Sequence, residues 1–266
     1  MSTTPGTWHY GLIAEWWAEF SLDGPEIDYY RRFVELGQPA LDAGCGTGRL
    51  LLPWLRAGLD VDGCDVSADM IALCRERARG EGLEPTLFVQ PLHELEPPRS
   101  YRTIVACGVF GIGSTRAHDQ EALRRFRRFL EPGGTLLLDT EMPYAEARRW
   151  RQWTKEERDQ LPEPWPPSGE RRRARDGSEY ALRARALGVD PLDQTLTLEM
   201  HAEKWLGGLA AEERRQISLR WYFRDELLLM LDRAGFADVD VRGDHTDEKA
   251  NANHDFLVYI ARAGGL

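Results

Sequence analysis

The 266-residue sequence contains no apolar run long enough to cross a bilayer, which excludes a helical membrane span. It does not open on a basic stretch followed by an apolar one, so no secretory signal is expected and a soluble cytoplasmic protein is. It has only four cysteines, Cys45, Cys64, Cys74 and Cys107, and their spacing matches neither a metal site nor a disulfide framework. Reduced, structural thiols and no metal follow; Cys45, Cys64 and Cys107 fall at or near strand ends, where a small apolar side chain packs well. Positive charge is also short: the formal net charge is −10 at pH 7, without the basic footprint of a nucleic-acid binder. The run Arg171-Arg172-Arg173-Ala174-Arg175 is the exception, and in its polar, proline-rich setting it reads as a solvated loop.

What the chain does have is Pro39-Ala40-Leu41-Asp42-Ala43-Gly44-Cys45-Gly46-Thr47-Gly48-Arg49-Leu50. An apolar run reaches Asp42, a glycine follows at every second position, and residues 49–55 read as an apolar helix. This is strand, tight turn, helix. Glycine permits positive φ in such a turn and lets a ligand approach the backbone, and the helix start adds N–H donors and a partial positive charge. A second short strand, Leu59–Cys64, ends in Asp65, where an acid can bind both hydroxyls of a ribose.

The D-x-G-x-G-x-G spacing differs from the G-x-G-x-x-G of dinucleotide sites. Together with Asp65, it resembles motif I and its partner acid in the class I S-adenosylmethionine-dependent methyltransferases. Glu131-Pro132-Gly133-Gly134 looks like that family's turn into strand five, and Arg224–Phe236 like its late helix. The resemblance implies a doubly wound, seven-stranded Rossmann-like α/β sheet with helices on both faces and S-adenosyl-L-methionine as cofactor. It implies that Asp42 and the backbone of Ala43, Gly44, Cys45, Gly46 and Gly48 hold the methionine end, and that Asp65 takes the ribose. Val66 and Leu92 would sandwich the adenine, with His93 beside them, while Cys107, Gly108 and the lid residue Trp17 complete the site. One departure stands out: the acid that reads the adenine amino group in the family aligns with Pro91. That contact must then fall to backbone N–H groups near Leu92 and His93, or to Gln90 or His93 themselves.

Alternating strands and helices run from residue 37 to 142 and resume over 222–266, giving one cofactor-binding core. Residues 1–36 are aromatic-rich, with helical spacing at Leu12, Ile13, Trp16, Trp17 and at Ile27, Tyr30, Phe33, Val34; two helices capping the cofactor end are expected. Residues 143–221 are read as an insertion. Proline density over 143–178 argues against any regular element there, and Trp165 should anchor the segment to the surface. Residues 179–189, 194–205 and 214–222 alternate with period two and should form three antiparallel strands, serving as substrate cover or as a dimerisation surface through the apolar face of residues 194–206.

The reaction implied is in-line methyl transfer to a small-molecule acceptor, nitrogen ahead of oxygen. A cofactor-sensing binding protein or a same-fold transferase of other chemistry is the alternative. A hydroxyl acceptor would need a base within reach; Glu141, just past strand five, is the first candidate, with Tyr144 beside it and His245 near the last strands. His9, near the lid, and His254 are further candidates, and His118 reads as a helix cap.

Overall fold

A computed structural model describes residues 7–167 and 169–264. In chain order the elements are α1 (Gly11–Phe20), α2 (Glu26–Leu36), β1 (Ala40–Ala43), α3 (Leu51–Arg56), β2 (Val61–Asp65), α4 (Ala68–Gly80), β3 (Leu87–Val89), a 3-10 turn (Leu92–Glu94), β4 (Tyr101–Ala106), α5 (Arg116–Phe129) and β5 (Leu130–Glu141). Then follow α6 (Ala147–Arg151), α7 (Lys155–Arg158), β6 (Arg172–Arg173), β7 (Glu179–Asp190), β8 (Thr195–Trp205), β9 (Leu209–Arg220), α8 (Arg224–Arg233), β10 (Asp238–Gly243) and β11 (Phe256–Arg262).

The main sheet has seven strands in the order β10-β11-β5-β4-β1-β2-β3. β1 to β5 are parallel neighbours, and β11 runs antiparallel to both β5 and β10. Strand order reverses between β1 and β4, and in an open α/β sheet ligands bind in the crevice beyond such a point. β1 is buried throughout (Ala40, Leu41, Asp42, Ala43), as a central parallel strand covered on both faces must be. One face packs against Leu123 and Phe126 of α5 and Leu227 and Leu231 of α8; the other packs against Tyr30 and Val34 of α2 with Leu51 and Trp54 of α3. Local chemistry starts the helices: Ser67 accepts from Met70 N at the head of α4, and Thr115 from His118 N at the head of α5. The cap of α5 is therefore Thr115, and His118 lies inside the first turn.

Three expectations need correction. First, α2 is a layer of the core and not part of a lid: Tyr30 is fully buried against the sheet, and only α1 reaches over the cofactor end. Second, residues 143–178 do hold regular structure, α6 and α7 ahead of the proline stretch and β6 after it, with Thr154 accepting from Glu157 N to start α7. The prolines exclude helix only where they stand. Third, the inserted sheet has four strands, β6-β7-β8-β9. β9 begins at Leu209 because Gly207, at φ +72°, turns the chain straight back onto β8. Trp165 does anchor the proline stretch, lying 5.7 Å from the His201 ring with Arg185 over its face.

The apolar face of β8 is already covered. Met200 and Ala202 pack against Trp8, Leu12 and Ile13, and Leu196 against Trp221 and Trp153. The face that suggested chain pairing is thus buried within the chain.

Candidate active site

The tips of β1, β2 and β4, the 3-10 turn and the segment leading into α1 enclose a cavity of about 840 Å³. Its floor is the turn after β1. Gly44 N and Cys45 N both donate to Cys64 O, tying the turn to β2. Gly44 sits at φ +87°, and a Cβ there would collide with Val109, so the β1 and β4 exits lie too close for any side chain. Gly46, at φ +52°, has open space where its Cβ would project.

Two carboxylates serve this floor. Asp42 is almost wholly buried and lines the cavity, and its Oδ2 has no hydrogen-bond partner among the described residues. Burial, with the nearby Asp65 charge, pushes its carboxyl up to about 8. A buried, unsatisfied acceptor is costly, so this oxygen is shaped for a cation or donor from outside the chain. Asp65 accepts from Gly46 N at 3.0 Å and from Ser67 N at 2.8 Å. Burial raises its carboxyl, and those amide bonds pull the other way. Each of its oxygens keeps a second lone pair for the cavity.

The roof comes from the chain before and within α1. Tyr10 OH donates to Val66 O, Gly11 N to Asp69 Oδ2 at 2.8 Å, and Leu12 N to Glu213 Oε2 at 3.0 Å. α1 is thereby fixed to both the core and the inserted sheet. Thr7, His9, Trp17 and Ser21 face the cavity from this side, and the buried Trp17 Nε1–H has no partner among the described residues. His9 Nδ1 lies 2.5 Å from Thr7 Oγ1, and its Nε2 accepts from the Trp8 indole at 3.3 Å. Burial lowers His9 to about 4, leaving a neutral and weakly basic ring.

Of the residues expected at the site, Asp42, Gly44, Cys45, Gly46, Asp65, Val66, Leu92, His93, Cys107, Gly108 and Trp17 all line this cavity. Ala43 and Gly48 are not among its lining residues. Ala43 is fully buried in β1, and a Cβ on Gly48 would run into Cys74 and Leu52, so that glycine serves helix packing. Glu141, Tyr144 and His245 do not line it either. Glu141 is paired with Arg149 of α6 at 2.9 Å, and Tyr144 is exposed against Trp150. His245 Nε2 is 2.8 Å from Asp139 Oδ2 beneath the cavity. That Asp139 carboxylate also accepts from Tyr30 OH at 2.8 Å and Gly108 N at 2.6 Å. Burial would raise Asp139, but the His245 bond and charge, with these donors, hold it below the usual carboxylate value. It therefore fixes the β4 exit in place. His254 accepts from Asn251 N in a turn.

Thr7, Ser114, Thr115 and His118 also line the cavity and were not foreseen as site residues. Ser114 and Thr115 carried a signal, since both follow the glycine-rich exit of β4.

Comparisons with known proteins agree with this geometry. Residues 40–134 match the family model described as a methyltransferase domain. A ubiquinone biosynthesis O-methyltransferase of Xanthomonas euvesicatoria is 28% identical over 143 residues, covering 48% of this chain and 57% of that protein. The chain spans a little under three fifths of the length of such curated relatives. Among solved structures, the CcbJ methyltransferase from Streptomyces caelestis superposes with a TM-score of 0.70 at 22% identity over 99% of both chains. The sugar N-methyltransferase KedS8 from Streptoalloteichus sp. gives 0.65 at 17% identity, over 91% of this chain and 90% of that one. The core of this chain thus matches a methyltransferase domain over residues 40–134 and shares its fold with solved methyltransferase structures.

Proposed function

We propose that the protein is an S-adenosylmethionine-dependent methyltransferase acting on a small-molecule acceptor, nitrogen ahead of oxygen. The observation that carries this reading is the unpartnered Asp42 oxygen in a cavity where a second carboxylate, Asp65, borders an open glycine turn. Asp42 accepts from the amino group of the methionine end, and that positive charge restores its ionised form. Asp65 accepts from the ribose hydroxyls, while Val66 and Leu92 flank the base. When bound, the cofactor's sulfonium supplies an activated methyl group. The protein's own task is then to hold an acceptor lone pair in line and keep water out, and such positioning can contribute several kcal/mol.

The weak basicity of His9 on the roof favours nitrogen. His9 is too weak a base near neutral pH to take a hydroxyl proton, and its Nε2 already accepts from Trp8. An amine that arrives neutral needs no base, only a place to sit. The unpartnered Trp17 Nε1–H and the hydroxyls of Thr7 and Ser21 suit a small polar acceptor, as in the sugar N-methyltransferase of the same fold. Oxygen methylation is the second reading, favoured by the O-methyltransferase relative. Thermal melting with S-adenosylmethionine or S-adenosylhomocysteine is the first test: a ligand at 100 times its Kd should stabilise by about 2.7 kcal/mol. No shift with either removes the proposal. Mass spectrometry of a panel of amino sugars and phenols then separates nitrogen from oxygen transfer.

A further inference from the structure

Resting on that cofactor reading, the 3-10 turn and the head of α5 carry a feature the fold does not require. The rings of His93 and His118 stack face to face, with centroids 3.8 Å apart and planes within 5° of parallel, and both line the cavity next to Leu92. The other side chains able to read a nucleobase edge there are engaged or turned away. Gln90 Oε1 accepts from Glu96 N at 2.9 Å. Asp119 is held by Ser114 Oγ and Tyr222 OH, both at 2.6 Å. The Glu94 side chain is 69% exposed, and Pro91 offers neither an N–H nor a polar side chain.

We propose that the His93–His118 stack is the adenine-recognition element of this pocket, with neutral His93 accepting from the adenine amino group where related enzymes use an acid. A carboxylate accepts in any protonation state met near neutrality; an imidazole accepts only while one nitrogen is bare. Cofactor binding here is therefore proton-sensitive. The groups facing His93 are Glu94 on its own turn and His118, Asp119 and Arg125 on α5. Burial first, then His118 and Arg125, disfavour its protonated form; Glu94 and Asp119 favour it, and the balance lies below the usual histidine value. His93 is thus neutral above pH 7. Below its shifted value it gains a proton that points a donor at an amino group.

The test is calorimetric titration of S-adenosylhomocysteine, and of its hypoxanthine analogue with a carbonyl in place of the amino group, from pH 5.5 to 8.5. Wild type, His93→Phe, His93→Gln and His118→Phe are compared, with circular dichroism confirming the fold. Wild type should weaken toward pH 5.5 more than His93→Gln does, and prefer the adenine ligand about fivefold at pH 8. His93→Phe should lose that preference together with the part of the acid weakening that exceeds His93→Gln. His93→Gln, an acceptor that does not titrate, should keep the preference and show only the weakening that Asp42 and Asp65 impose, which separates their titration from that of His93. His118→Phe should retain the preference, since its ring stacks without reading. A His93→Phe protein with wild-type preference and pH profile overturns the inference alone. A wild type that binds neither ligand at pH 8 overturns the cofactor reading and the inference with it.

Discussion

The two ends of the cavity are built by different means. The floor is made of backbone and carboxylates within a short span, Asp42 to Asp65, where glycine conformation and two strand tips fix every position. The roof is made of side chains whose placement depends on distant partners: Leu12 N reaches Glu213 across 201 residues, and Tyr180 OH reaches Glu15 across 165. A floor of this kind tolerates little change and suits one invariant ligand. A roof held by a few long-range bonds can be rebuilt, which suits an acceptor that differs from one enzyme to the next.

The deepest break in this arrangement lies under the floor. Asp139→Ala removes a buried carboxylate that receives Tyr30, His245 and Gly108, leaving those donors unpaired. A loss of about 3–5 kcal/mol is expected, read as a fall in the urea midpoint. The pH dependence has a defined sign. Because Asp139 is held below its usual value, its contribution is present above about pH 4 and fades as pH falls through the lowered value. Equal acid sensitivity in wild type and variant would show that Asp139 is not the group responsible.

Asp42→Asn sharpens the contrast from the other side. Cofactor affinity should fall about 10- to 100-fold, the cost of a lost charge-assisted bond. The free protein should nevertheless gain stability at pH 7 to 8. Asp42 is raised to about 8 in the folded chain, so the unfolded chain ionises first and stability drains away as pH rises from about 4 toward 8. The neutral amide escapes that drain, by up to a few kcal/mol. A variant that binds weakly and is also less stable would assign Asp42 a purely structural role.

These two residues show how much of the molecule could be read beforehand. Asp42, the glycine turn and Asp65 were legible because a β-strand, a positive-φ turn and a strand tip are local, and residue type follows from backbone geometry. Tyr30 and Asp139 were not, since their meeting joins α2 to β5 across 109 residues. Glu141 was misplaced for a related reason. Residues 147–151 were expected to be irregular, yet they form α6, which delivers Arg149 to that carboxylate and turns a candidate base into half of an ion pair. The β9 hairpin was shortened because residues 209–213 do not alternate, although Gly207 and Gly208 marked the turn. Alternation reports a half-buried strand, and this end of β9 is exposed.

On the roof, Glu213→Gln should cost about 1 kcal/mol in stability, because it weakens the partly buried bond to the head of α1 and the ion pair with Arg215. It should raise the acceptor KM more than the cofactor Kd if the roof serves the acceptor. Equal effects on both would merge the two halves of the cavity into one site.

The smallest effect belongs to Trp17→Phe. An aromatic ring stays near Trp16 and His9, while the unpartnered indole N–H is lost with part of the ring system. Stability should change by about 1 kcal/mol or less, since removing a buried donor without a partner offsets the packing lost with the smaller ring. The acceptor KM should rise about two- to tenfold with kcat little changed, as expected when a bond made equally in ground and transition states is removed. A fall in kcat at constant KM would instead place the indole N–H against the transition state, and the roof would then belong to the chemistry as much as to recognition.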